Sequence, residues 1–137
     1  MILIINTADF EEVFLGLADK ESFIAKIFFK AKYKQAEKLL VEIDKLLKAN
    51  KLTKLKAIIV VNGPGPFTAL RIGVVTANTM SWALKIPIVS IKLSEFKDID
   101  DLLRIGYKKL AKTKPGKIIE PFYGKEPNIT KNKKLKK

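Results

Sequence analysis

The 137-residue sequence contains no cysteine and no histidine. Disulfides, thiol nucleophiles, Ser-His or Cys-His catalysis and His/Cys zinc sites are therefore excluded. Long apolar runs are also missing: the longest, such as 57–61, hold about five residues, against the roughly twenty that a spanning helix needs. The first residues are apolar and lead into Asp9, Glu11 and Glu12, without the basic segment and small-residue cleavage site of a secretory signal, so a cytoplasmic location with no membrane attachment is expected. Arginine is scarce: of 27 basic residues only Arg71 and Arg104 are Arg. Against so much lysine, an arginine marks a place where planar, forked hydrogen bonding matters.

What is present in excess is lysine. The formal charge is +13, divided as −3 over 1–29, +6 over 30–56, +1 over 57–107 and +9 over 108–137. A basic tail attracts polyanions without sequence preference, which makes RNA a candidate neighbour; the same excess also follows from a general bias toward lysine. With 47% hydrophobic residues, a chain of this length buries roughly two thirds of its unfolded surface and needs no staple to hold a core.

Apolar periodicity gives the element order. Ile2–Asn6 reads as a buried strand, 13–18 as a second and 22–30 as a third, with Phe23, Ala25, Ile27 and Phe29 on one face and a tight polar break at Asp19-Lys20-Glu21. Over 32–50 the period changes to that of a helix: Ala36, Leu39, Leu40, Ile43, Leu46 and Leu47 share one side, while Lys34, Lys38, Val41, Lys45 and Lys48 lie opposite. A strand at 57–61, a Gly/Pro loop, a helix over Phe67–Leu84 and a strand at 88–91 form a strand-helix-strand crossover. A third amphipathic helix spans 99–112, one short extended piece covers 117–120, and 131–137 is expected to be disordered. The expected fold class is α/β, an RNase H-like mixed sheet with three initial antiparallel strands and packed helices; other α/β orders fit the same pattern. The expected organisation is a lobe over 1–97, an abbreviated segment over 98–130 packed on it, and the tail.

The loop Asn62-Gly63-Pro64-Gly65-Pro66-Phe67-Thr68 sits where α/β proteins often bind phosphate on helix-terminal N–H groups. It lacks Gly-Lys-Ser/Thr, and Thr68 replaces the third glycine of a GxGxxG. Pro64 and Pro66 also carry no N–H, which disfavours a tight phosphate site. What the loop offers is geometry: Gly63 and Gly65 for unusual backbone angles or close approach, Pro66 for the first helical turn, Thr68 for a helix-start donor. In the helix that follows, Ala69, Gly73 and Ala77 are small at spacing four, so either the domain's own sheet or a partner helix approaches that side, while Leu70, Val74 and Trp82 are expected to serve the core.

The string Gly63-Pro64-Gly65-Pro66-Phe67-Thr68-Ala69-Leu70-Arg71-Ile72-Gly73-Val74, continuing through Thr76-Ala77 to Trp82-Ala83-Leu84, strongly resembles the TsaB (YeaZ) family signature GPGSFTGLRIG, with Pro66 in place of Ser and Ala69 in place of Gly. The opening Ile-Leu-Ile-Ile-Asn-Thr resembles the family's first strand, with Asn6 replacing its Asp. Gln35-Ala36 stands where the family often has His-Ser, and Pro121-Phe122-Tyr123 is similar to the family's closing Pro-x-Tyr segment. The family's second lobe has little counterpart here, so the resemblance is to a shortened form.

That resemblance implies an ASKHA-type RNase H-like fold and a non-catalytic subunit, with no cofactor and no metal, that supports TsaD in making N6-threonylcarbamoyladenosine in tRNA. A TsaD-like heterodimer partner, a TsaE-like ATPase, tRNA reached through the complex and a possible homodimer follow from it. The implied partner-binding residues are Ala36, Leu40, Gly63, Gly65, Phe67, Thr68, Ala69, Arg71, Gly73 and Ala77. A weaker expectation places RNA phosphates on Lys34, Lys38, Lys45 and Lys48. Two alternatives are a stand-alone basic RNA-binding module and an RNase H-like metal-dependent hydrolase; the latter needs clustered carboxylates, yet Asp98, Asp100 and Asp101 have the look of helix-start charges.

Overall fold

The computed structural model describes residues 1–30, 35–50 and 55–124. Five strands, β1 (Ile2–Asn6), β2 (Val13–Asp19), β3 (Ser22–Phe29), β4 (Ala57–Gly63) and β5 (Ile88–Lys92), form one sheet in the order β3-β2-β1-β4-β5. β1, β2 and β3 pair antiparallel, and β1-β4 and β4-β5 pair parallel. Three helices, α1 (Gln35–Ala49), α2 (Phe67–Leu84) and α3 (Ile99–Leu110), cover it, with a 3₁₀ turn at Leu93–Glu95 that periodicity did not show.

β1 and β4 are apolar along nearly their whole length because both faces of the sheet are covered. Leu3, Ile5, Ile58 and Val60 join the core under α1 and α2, which includes Leu39, Ile43, Leu46, Val74 and Ala77. Ile2, Ile4, Ile59 and Val61 join the opposite core with Leu102 and Leu103 of α3. α3 thus forms the layer on the second face, and its start is fixed by Asp98, whose carboxylate accepts from the Asp101 N–H at 2.8 Å. β3, at the sheet edge, alternates half-buried and exposed residues, as a strand with one solvated face should.

One expectation needs correction. Trp82 does not serve the core: it is 82% exposed, because it falls on the helix face opposite Ala69, Leu70, Gly73, Val74, Ala77 and Ser81. The short piece at 117–120 joins no ladder. It belongs to a strap over 115–124 that runs beside α2, tied by two asparagine side chains and one backbone bond. Asn78 donates to the Ile119 carbonyl at 2.8 Å and accepts from the Ile119 N–H at 2.9 Å, Asn62 Nδ2 donates to the Glu120 carbonyl at 3.0 Å, and the Phe122 N–H donates to the Asn62 carbonyl at 2.7 Å. These bonds satisfy backbone groups that a sheet would otherwise satisfy. Residues 131–137 and Lys34 lie outside the described residues.

Candidate partner-binding surface

The elbow between β4 and α2 is built by glycine geometry. Gly63 has φ +127°, and a Cβ there would collide with the Phe122 carbonyl; Gly65 lies against the Ala8 backbone, and the Gly63-Pro64 bond is cis. Pro66 is the residue just before the helix, its carbonyl accepting from the Leu70 N–H at 2.8 Å. No side chain caps this end, so Thr68 does not hold the helix-start donor expected of it.

Seen from the elbow, α2 has two faces with different work. Ala69 is 4% exposed, Ala77 is fully buried and Gly73 is buried with them. A Cβ on Gly73 would run into the Thr7 side chain. The small stripe therefore serves close packing on the domain's own sheet, which corrects the expectation that Ala69, Gly73 and Ala77 receive a partner helix. The outward stripe is Phe67, Arg71, Val75 and Trp82, with Phe67 57% and Val75 60% exposed. On α1, Leu40 and Val41 are also exposed, whereas Leu39, Ile43 and Leu46 point inward. The side chain of Ala36 lies outside the described residues.

Aromatic stacking organises the upper end of this stripe. The Phe67 ring lies on Tyr123 of the strap with centroids 4.6 Å apart and planes 22° from parallel, and the Arg71 guanidinium sits 5.3 Å from the Phe67 centroid. The ring attracts the guanidinium, whose N–H fork can still meet a carboxylate. Among the described residues Arg71 enters no ion pair, unlike Arg104, which pairs with Asp101. Phe67, Thr68, Arg71, Ile72, Val75 and Thr76 line an open groove of about 440 Å³. The Phe67-Tyr123 stack was missed at the level of sequence; the Pro-x-Tyr segment was its one visible signal.

The remaining candidate positions are accounted for by local bonds. Asn6 accepts from the Ala8 N–H at 2.9 Å and so fixes a turn. Lys45 and Lys48 pair with Glu42 and Asp44 at 3.7 and 3.0 Å, and Lys38 lies over the Phe29 ring. Among the described residues no three His, Cys, Asp or Glu side chains converge as a metal site would require. No described helix is long and apolar enough to cross a membrane.

Known proteins resemble this chain in sequence and in fold. A family model described as TsaD, tRNA N6-adenosine threonylcarbamoyltransferase, matches residues 30–95, which carry α1, β4, α2 and β5. The tRNA threonylcarbamoyladenosine biosynthesis protein TsaB of Bacillus subtilis (strain 168) is 30% identical over 96 residues, covering 69% of this chain. Over about two thirds of its length the chain is similar to the TsaB (YeaZ) family. Two solved structures, YeaZ from Pseudomonas aeruginosa and a protein described by its similarity to peptidase YEAZ from the same organism, superimpose with a TM-score of 0.61 at 22% identity over 66% of this chain. They share its RNase H-like, ASKHA-type fold. The chain spans less than half the length of these relatives: 42% of the TsaB protein and 43% and 42% of the two YeaZ chains.

Proposed function

We propose that this chain is a shortened TsaB-type subunit that performs no chemistry itself and supports a TsaD-like enzyme in threonylcarbamoylating tRNA adenosine. The observation that carries the reading is the outward apolar stripe of α2, Phe67 and Val75, on the helix that follows the family's elbow, together with the exposed Leu40 and Val41 of α1. Exposed apolar side chains gathered on neighbouring helices, flanked by one unpaired arginine, suit a helix-helix contact with an apolar centre and a charged rim. In this reading Gly63 and Gly65 set the direction of α2 without touching the partner, and Phe67, Thr68, Arg71 and Leu40 meet it.

A TsaE-like ATPase and tRNA would join through the resulting complex, and a second copy of the chain is the competing occupant of the same stripe. The hydrolase alternative finds its Asn6 engaged in a turn and its Asp98 engaged in a helix cap. Adding the chain to a reconstituted threonylcarbamoylation system lacking its TsaB subunit tests the proposal. Restored modified adenosine supports it; a system that stays inactive while the TsaD-like enzyme is shown to be competent with another TsaB overturns it.

A further inference from the structure

Trp82 is the chain's only tryptophan and stands 82% exposed near the end of α2. Solvent-exposed indole on a soluble surface calls for an explanation, because Trp is large and usually well covered. Its surroundings supply one. A groove on one side is lined by Gly116, Lys117 and Ile118, and one on the other by Lys85, Pro115 and Gly116. Lys112 and Lys114 are carried on the turn just before Pro115, which is held by the Thr113 hydroxyl donating to the Lys109 carbonyl at 2.8 Å. All four lysines are exposed, and among the described residues none of them enters an ion pair.

The field here has a single sign for a reason visible in the sequence. No Asp or Glu occurs between Asp44 and Glu95, nor between Asp101 and Glu120, and both walls of the grooves come from those stretches. The α1 face differs, since Glu42 and Asp44 pair with Lys45 and Lys48 there. The negative end of the α2 dipole opposes an anion, but its last carbonyls are already occupied: the Lys85 N–H reaches the Ser81 and Trp82 carbonyls, and the Ile86 N–H reaches the Ser81 carbonyl at 3.1 Å. The surface is also fixed in place, on one side by Ser81 Oγ donating to the Ile86 carbonyl at 2.6 Å and on the other by Asn78 gripping Ile119.

We propose that this surface binds single-stranded RNA, with a base stacked on Trp82 and the flanking phosphates neutralised by Lys85, Lys112, Lys114 and Lys117. An aromatic face amid unpaired cations is the pairing that sequence-tolerant single-strand binding uses. It does not depend on partner docking, because the test uses the full chain alone.

The experiment titrates the chain with single-stranded oligoadenylate, with inorganic polyphosphate as an anion without bases, and with phosphatidylglycerol vesicles. Trp82 fluorescence should be quenched by oligoadenylate only, and polyphosphate should compete for the lysines without quenching. By anisotropy of labelled RNA, Trp82→Leu should weaken binding about ten-fold, with thermal stability unchanged. The double variant Lys85→Gln/Lys117→Gln should reduce the slope of log affinity against log salt by about 1.4, at about 0.7 per single-strand phosphate. RNA affinity and salt slope unmoved by both variants would overturn the proposal by placing any binding elsewhere on the chain. Fluorescence that responds to vesicles and not to RNA would overturn it in favour of a membrane surface. Loss of a TsaD-like partner by Trp82→Leu with RNA titration unchanged would overturn it in favour of a protein contact.

Discussion

Replacing Gly73 by alanine separates packing from docking on α2. If the small stripe faced outward, the substitution would fill open space in a helix interior and raise stability by about 1 kcal/mol through helix propensity alone. Instead the new methyl meets the Oγ1, Cγ2 and Cβ atoms of Thr7, a β-branched side chain that is 2% exposed and has little rotamer freedom. Overpacking of that kind costs about 3 kcal/mol at its upper end, so the net loss is about 2 kcal/mol. With an unfolding entropy near 2.1 cal/mol/K per residue, the Tm should fall by about 7 °C. The partner of the clash is known, so a double-mutant cycle by urea denaturation checks the cause: in a Thr7→Ala background the penalty of Gly73→Ala should drop below about 1 kcal/mol. Among the described residues the Thr7 hydroxyl has no hydrogen-bond partner, so Thr7→Ala breaks no bond with them. A Tm that rises in Gly73→Ala, or an equal loss in both backgrounds, would refute the inward placement.

Other predictions follow from the strap and from one carboxylate. Asn78→Ala removes both bonds to Ile119 and should cost about 2 kcal/mol by urea titration, with faster hydrogen exchange at the Ile119 amide; unchanged exchange there would mean that the strap is held by other contacts. The Phe67→Ala/Tyr123→Ala cycle should give a coupling of about 0.5–1 kcal/mol, and additive losses would show that the two rings do not stack in solution. Glu95 is held below the usual carboxylate range by the Lys92 N–H, which donates to it at 2.8 Å, and then by Lys109 at 3.0 Å. A depressed carboxylate contributes stability that is present above its unfolded value, near 4.5, and is lost as pH falls through the lower folded value. Stability measured across that acid window should therefore fall less in Glu95→Gln than in the parent chain, and parallel profiles would refute the assignment.

Most of the architecture could be read from periodicity, because strands covered on both faces and amphipathic helices leave strong patterns. Ile2–Asn6 and Phe67–Leu84 begin and end where their apolar runs and Pro/Gly punctuation predict. The site was legible only in part. The elbow motif was plain, yet which side of α2 faces outward depends on where Thr7 comes to lie, and no local pattern carries that. Trp82 misled for the same reason: a large aromatic near the end of a helix is expected inside, and only the fold shows that its face looks away from the sheet. The strap was the least legible, since its bonds link Asn62 and Asn78 to backbone groups more than forty positions away, and single asparagines do not announce such partners. The Arg71-Phe67-Tyr123 stack joins a helix to that strap and shares its obscurity.

The most direct test of the central claim is the dissociation constant between this chain and its TsaD-like partner, measured for the parent and for Val75→Asp. Val75 is exposed, so the substitution should leave the Tm unchanged while burying a carboxylate at the apolar centre of the contact, which weakens binding by at least about 30-fold. Equal affinity for the two proteins, or no association of the parent chain at micromolar concentration, would contradict the account.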